Sequence, residues 1–362
     1  MIWTNYTNER NFGCRATEYL YRGLRTVTLE NELIRVTILA DKGSDIIEFL
    51  HKPTDTDFMW RSPHGVRNPA TFIPTVARPE GAFLDYYPGG WQECLPTGGV
   101  AANYAGTHFG VHGEFALMPW EYRLVEDTPE RVTLHLQARA YRSPIFVEKW
   151  LTLLSGRPVL QIRERLVNEG QEATEIVWGH HPAFGPPFLD DSCVVDLPGA
   201  RVITTDVQPN HRYQPGEGYQ WPHVPGRDGQ LIDMSMIPPP EVRTHDTVFL
   251  NELEAGWYAL TNRRRGVGFG MAWPTDVFSA IWFWQVYGGA WGSPWFGRTY
   301  NIALEPWTTT QTNINHALAQ GSARHLAPGA VLEVELCAVA YSGLQRVTAI
   351  TADGEVSGAT VR

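Results

Sequence analysis

Glycine and proline punctuate this chain from end to end, and their spacing restricts its possible folds more than any other feature. There are 34 glycines and 26 prolines in 362 residues. Few windows are left that are long enough for a helix, because proline removes a backbone donor and glycine is costly to order. The stretches between them alternate instead. In Arg131–Arg139, Val132, Leu134, Leu136 and Ala138 recur at every second position, the period of a half-buried strand. The runs 146–154, 158–167 and 330–340 have the same character, and Gln161, Arg163 and Arg165 fit the wetter face of an antiparallel sheet. Toward the N-terminus, 25–30 and 33–39 are β-rich runs joined across Asn31-Glu32 as a hairpin. Asp41-Lys42-Gly43 makes a turn, 46–50 resumes the sheet, and Pro53-Thr54-Asp55 turns again before Phe58-Met59-Trp60. Two proline-rich segments, 182–187 and 209–240, read as loops. Neither an internal repeat nor a low-complexity linker divides the chain. The expectation is an all-β fold: one large antiparallel β-sandwich domain over residues 1–362, with few or no long helices.

Charge and cysteine usage narrow the function. Lys plus Arg is 29 and Asp plus Glu is 39, a net charge of -10. A nucleic-acid partner would call for a basic stripe, and none is present. The run Arg263-Arg264-Arg265 reads as a solvated turn. Cys14, Cys94, Cys193 and Cys337 form neither a C-x-x-C pair nor a zinc spacing, so they read as free thiols of a reducing compartment. No basic head with an apolar stretch behind it opens the sequence, which makes the cytoplasm the expected location. The most apolar stretch, 269–296, is interrupted by Pro274 and Asp276, so no membrane partner is expected. A small neutral or anionic ligand suits this balance, and nothing in the pattern fixes an oligomeric state.

Four short clusters carry ionisable groups in apolar or glycine-rich settings. They are Gly110-Val111-His112-Gly113-Glu114, Trp178-Gly179-His180-His181-Pro182-Ala183-Phe184-Gly185, Thr244-His245-Asp246-Thr247-Val248-Phe249 and Ile302-Ala303-Leu304-Glu305-Pro306-Trp307. A histidine beside a glycine is ordinarily a hydrogen-bonded loop residue, which is the plain alternative for His112. Two adjacent histidines after a strand are seldom needed for packing. They could serve a metal, but no H-x-x-x-H or H-E-x-x-H spacing supports one, and no metal is expected. Glu305 is the most informative residue, because a carboxylate at a buried strand end is costly unless it is paired or useful. Burial raises its pKa, which suits a general base near neutrality; a structural salt bridge is the alternative. Trp273, Trp282, Trp284, Trp291 and Trp295 could be core, but flat aromatics beside polar groups also stack on the apolar faces of sugar rings.

In this order the clusters resemble the galactose mutarotase (aldose 1-epimerase) superfamily over roughly residues 25–341. Glu30 to Thr37 followed by Asp41 to Ile47 is similar to the family's first strands and glycine turn. Thr56-Asp57-Phe58-Met59-Trp60 resembles a segment that carries an aromatic in relatives. Pro88-Gly89-Gly90-Trp91-Gln92-Glu93 with Pro96-Thr97-Gly98-Gly99 resembles the loop before the first catalytic histidine. His112-Gly113 with Trp120, His181-Pro182-Ala183-Phe184, His245-Asp246 and Leu304-Glu305-Pro306 resemble its remaining motifs. Ala183 stands where the family usually has tyrosine, Gly185 where asparagine is common, and the usual arginine has only Arg298, Arg67 or Arg78 as a counterpart.

The resemblance implies interconversion of the α and β anomers of an aldose, with a small-molecule sugar as partner and no cofactor. Glu305 would be the base on the C1 hydroxyl and His181 the acid on the ring oxygen, with His112 polarising that oxygen. Asp246 would hold ring hydroxyls, and His180 would orient its neighbour or touch the sugar. Trp91 or Trp295 would line the cleft, and Arg298 would meet any anionic substituent. The implied pH profile is a bell with its acid limb from Glu305 and its basic limb from His181. A non-catalytic carbohydrate-binding protein of the same fold is the runner-up. A metal-dependent cupin-like isomerase would need a ligand cluster that the spacing lacks.

Overall fold

Residues 10–78 and 80–360 are described by the computed structural model. Antiparallel pairing dominates it, as the alternation predicts. Among the described residues a 14-stranded sheet and an 8-stranded sheet carry the architecture. The predicted runs form strands at Arg131–Arg139, Ile145–Leu154, Val159–Asn168 and Val331–Ser342, all of them in the smaller sheet. Leu24–Glu30 and Ile34–Leu39 pair as the expected hairpin. One short α-helix, Ile314–Ala319, occurs among the described residues, with the Asn313 side chain accepting the His316 backbone N–H at 2.9 Å. No described helix is long and apolar enough to cross a membrane.

The centre of the large sheet determines everything that follows. Its strands run in the order Trp91–Cys94, Gly179–Phe184, Tyr300–Trp307, Ala280–Tyr287, Thr244–Asn251. Side chains alternate between the two faces of a strand, and directly opposed residues share a face. One face meets the smaller sheet. It contributes Trp91, Phe184, Ile302, Leu304, Phe283, Val248 and Leu250 to a single core with Leu151, Ile162 and Phe269. The other face carries Ala183, Ala303, Trp284 and Val286 in one cluster, and Cys94, Trp282, Trp307 and Phe249 in another. Trp60, Phe83, Tyr87 and Trp295 cover the first of these clusters, and Ile314 and Ala317 of the short helix pack on the second.

Both proline-rich segments differ from the loop expectation. Pro182 lies inside the strand Gly179–Phe184. Residues 209–240 contain three short strands, Gly216–Gln220, His223–Pro225 and Leu231–Asp233, which extend the far edge of the large sheet. Proline is compatible with a sheet wherever its nitrogen has no carbonyl to serve, and edge strands offer such places. The turn at 263–265 is solvated as expected, with Arg264 exposed and paired with Asp190 and Asp191 at 2.9 Å.

A buried polar clasp joins the two sheets within the core. Lys149 Nζ lies 2.6 Å from Glu93 Oε2 and 3.4 Å from Glu164 Oε1, while His180 Nε2 lies 3.1 Å from Glu164 Oε2. Trp91 Nε1–H donates to His180 Nδ1 at 3.2 Å, so the imidazole proton sits on Nε2, toward Glu164. Trp178 Nε1–H donates to Glu93. Burial pushes the Glu93 carboxyl upward, and the neighbouring Glu164 adds to the push. Burial opposes the charge on Lys149, but the two carboxylates outweigh it and raise the pKa of the amine. Removing one partner from such a cluster leaves buried charge uncompensated. Lys149→Met should therefore lower unfolding free energy by about 3–5 kcal/mol at neutral pH. Urea denaturation should show the deficit shrinking in acid, where the two carboxyls take up protons. A variant as stable as wild type would mean that the lysine carries no share of the joint.

Candidate active site

Strand register brings a histidine and a glutamate together on the outer face of the large sheet. Gly179 is opposite Trp307 and Ala183 is opposite Ala303, which sets His181 opposite Glu305. Their side chains meet with His181 Nε2 3.5 Å from Glu305 Oε1. Each end of this pair has a further partner. Tyr87 Oη lies 3.3 Å from His181 Nδ1, and Trp307 Nε1–H donates to Glu305 Oε2 at 2.9 Å. His112 arrives from a loop in a left-handed conformation, φ 60°, with its N–H donating to the Gly98 carbonyl at 2.7 Å. A non-glycine residue held there carries strain that surrounding contacts must support, and such strain concentrates at functional sites. The His112 ring packs edge-on at 4.6 Å from Phe83 and 5.0 Å from His181, and its Nδ1 is buried without a partner.

Exclusion of water sets the protonation of this group. His112, His181 and Glu305 are only 7%, 5% and 2% exposed. Burial raises the Glu305 carboxyl from 4.5 to about 8, with the Trp307 hydrogen bond opposing. Burial lowers His181 to about 4, and it drives His112 well below its usual value with help from His181. A low-dielectric site disfavours every charge, so the glutamate–histidine pair is neutral and shares one proton, held on the carboxyl. This inverts the order expected from sequence, in which Glu305 had the acid limb and His181 the basic one.

Aromatic rings wall the site. Trp60 lies 5.6 Å from Tyr87, 6.1 Å from Trp284 and 5.5 Å from Trp295, and Trp284 lies 5.9 Å from His181. Trp284 Nε1–H donates to His245 Nε2 at 2.8 Å. Two glycines make room for this wall. A Cβ on Gly179 would fall 2.1 Å from the Trp307 ring, and one on Gly185 would fall 2.3 Å from Trp60. Lys42 is buried nearby against Asp45, with its Nζ 5.9 Å from the Phe83 ring centre.

Of the residues singled out from sequence, His112, His181 and Glu305 come together, and Trp295 joins the surrounding wall. Three others are corrected by strand parity. His180 and Trp91 point to the opposite face, into the clasp and core between the sheets. Asp246 shares that inner face, opposite Gln285, and its Oδ1 accepts the Arg212 backbone N–H at 2.8 Å. His245, on the outer face, takes the position expected for Asp246. Arg298 is exposed, with its guanidinium 5.9 Å from the Phe296 ring, outside the buried group. Sequence reasoning gave no role to Tyr87, Phe83 or Lys42, and the two loop aromatics carry no periodic signal. Trp307 was visible in its motif, and its parity with Glu305 was the clue. Among the described residues, Glu93, Glu164 and His180 are near enough together to surround a cation, with ligand atoms within 4.8 Å of one another. The Lys149 ammonium already provides positive charge there, so the group reads as an ion-paired clasp.

A family model described as a domain of unknown function, DUF4432, matches residues 21–338. This chain belongs to the DUF4432 family. No curated protein matches its sequence. Solved structures share the fold of this DUF4432 protein at low identity. A protein of Klebsiella pneumoniae described as a candidate aldose 1-epimerase aligns with TM-score 0.70 and 14% identity, over 91% of this chain and 87% of that one. A galactose mutarotase related enzyme of Lactobacillus acidophilus aligns with TM-score 0.57 and 18% identity, over 90% and 98%. A galactose mutarotase-like protein of Clostridium acetobutylicum gives 0.59 and 11%, over 91% and 99%. The fold is thus galactose mutarotase-like.

The displaced carboxyl makes stability depend on pH. Between its ordinary value of 4.5 and about 8, folded Glu305 keeps a proton that the unfolded chain releases. The unfolded state then binds fewer protons, so this residue makes stability fall as pH rises through that window. Glu305→Gln has no such proton to lose. Its melting temperature should exceed that of wild type at pH 8, with the gain fading toward pH 4.5. An equal offset at both pH values would argue against a buried, displaced carboxyl.

Proposed function

We propose that this DUF4432 protein is an aldose 1-epimerase that interconverts the α and β anomers of a sugar without a cofactor. The observation that carries the reading is the His181–Glu305 pair: two ionisable groups 3.5 Å apart on neighbouring strands, walled by tryptophans. In a cyclic aldose, the C1 hydroxyl and the ring oxygen are bonded to the same carbon. Adjacent acid and base groups can therefore serve both oxygens. Glu305 Oε1 takes the C1 hydroxyl proton while His181 Nε2–H protonates the ring oxygen. The C1–O5 bond breaks, and C1 becomes a carbonyl. Rotation about C1–C2 presents the other carbonyl face, and ring closure returns both protons. His112 faces the same position and polarises the ring oxygen.

The displaced pKa values suit this exchange. The working form has Glu305 ionised and His181 protonated, which is the neutral pair with its one proton moved across. The pair holds one proton between about pH 4 and about pH 8, so the working form is a constant fraction over that range. The galactose mutarotase-like fold supports the sugar class, and the aromatic wall suits the apolar C–H face of a sugar ring.

Anomer-exchange NMR on a panel of free aldoses tests the reading. Exchange should be catalysed for at least one sugar, with a rate plateau bounded by limbs near pH 4 and pH 8. Glu305→Gln should reduce turnover by roughly 10²–10⁴-fold, the scale of a positioned base. Its sugar affinity should change far less, because the loss falls on the transition state. His181→Asn should behave similarly. Tight sugar binding without exchange in wild type would move the protein to the non-catalytic carbohydrate-binding reading.

A further inference from the structure

Glu305 has two carboxyl oxygens, and the structure treats them differently. Oε1 faces His181, while Oε2 receives the indole N–H of Trp307 at 2.9 Å. Trp307 lies two positions along the same strand on the same face, so its indole reaches back over the carboxyl. An indole nitrogen can only donate. The carbonyl oxygen of a neutral carboxyl is the better acceptor, so the proton of neutral Glu305 belongs on Oε1, toward His181. When Glu305 ionises, the same N–H becomes a charge-assisted donor and favours the carboxylate.

The indole is also held still. Its ring stacks on Trp282 at 3.9 Å and 14°, and Trp282 is anchored in turn by its own N–H to the Thr309 carbonyl at 2.8 Å. On the neighbouring strand Gly179 leaves the ring its place, since a Cβ there would overlap it. The other ionisable groups that bear on Glu305 are His181, Tyr87, Cys94 and, from the core side, Tyr258. None of them has a hydrogen bond to Oε2.

We propose that Trp307 is a positioning residue for the acid–base pair: its indole N–H reserves Oε2 as an acceptor and makes Oε1 the oxygen that exchanges a proton. Its kinetic consequence rests on the epimerase reading; the assignment of the two oxygens does not.

Trp307→Phe keeps a stacked ring and removes the donor. The carboxyl infrared band of Glu305, identified by subtraction of the Glu305→Gln spectrum, gives its titration midpoint without any sugar. In Trp307→Phe that midpoint should rise by about one to two pH units, the worth of a hydrogen bond to a charged group. With D-galactose and D-glucose as probes, kcat should fall about 10–100-fold with KM little changed. The upper limb of the pH profile should move with the infrared midpoint. If Trp307→Phe does not fold, indole ¹⁵N–¹H spectra of wild type replace it. One indole resonance should then follow the ionisation of Glu305 and become pH-independent in Glu305→Gln. An unchanged midpoint, an effect confined to KM, or no indole signal that follows Glu305 overturns the proposal. Absence of exchange with every sugar in wild type overturns the epimerase reading alone, since the infrared and indole measurements still decide the role of Trp307.

Discussion

The pairing of Gly179–Phe184 with Tyr300–Trp307 is the constraint on which the rest of this molecule depends. With Ala183 fixed opposite Ala303, every other side chain on both strands is assigned to a face. One face receives Leu304, Ile302 and Phe184 and becomes sandwich core. The other receives His181, Glu305 and Trp307 and becomes the site. A slip of one residue would send Glu305 into the core and Leu304 outward. The apolar core and the acid–base pair are therefore specified by the same register, and stability of the sandwich enforces the geometry of the site.

Adjacent histidines illustrate how strongly the face decides chemistry. His180 and His181 are neighbours in sequence and both are almost fully buried. His180 is held among Glu93, Glu164 and the Lys149 ammonium, where ionic charge is compensated across the sheets. His181 has one carboxyl, itself displaced upward, with aromatic rings around it and the buried Lys42 charge opposing its protonation. The first environment stabilises charges by pairing them. The second discourages charge altogether, so the single proton of the pair stays on the carboxyl and both groups are neutral. The inner cluster links the two sheets through ion pairs, and in the proposed function it is the outer pair that exchanges protons.

Much of the fold was legible in the sequence because strands of the smaller sheet keep an alternating pattern. Val159–Asn168, with one wetter face, is found within a residue of its predicted limits. His112, His181 and Glu305 were also legible, as ionisable residues in glycine-rich or apolar surroundings. Faces were not legible where a strand is buried on both sides. All six residues of Gly179–Phe184 are buried, so no polar alternation distinguishes His180 from His181. In Thr244–Asn251 His245 is half-buried and Asp246 buried, and pairing with Ala280–Tyr287 assigns them to opposite faces. Tyr87 and Phe83 come from loops, whose place over the sheet is a purely tertiary fact. The strands within 209–240 are three to five residues long, too short for a period to emerge.

The two departures from the mutarotase-like pattern take on a different meaning in this setting. Gly185 and Ala183 lie on the outer face, where larger residues would reach into the site. At Gly185 the Trp60 ring already occupies the space that a Cβ would need. Ala183 faces Ala303 across the strand pair, and Trp60, Trp284 and Trp295 pack above that shallow floor. Small residues on the sheet and large rings on the loops are thus two halves of one packing solution. A larger side chain at 183 or 185 would displace the tryptophans that wall the His181–Glu305 pair from water. Their displacement would open the His181 side of the pair, where Trp284 packs 5.9 Å from the imidazole, and weaken the burial that keeps the pair uncharged. The absence of bulky side chains at these two positions is therefore part of how the protein holds its acid–base pair near neutrality.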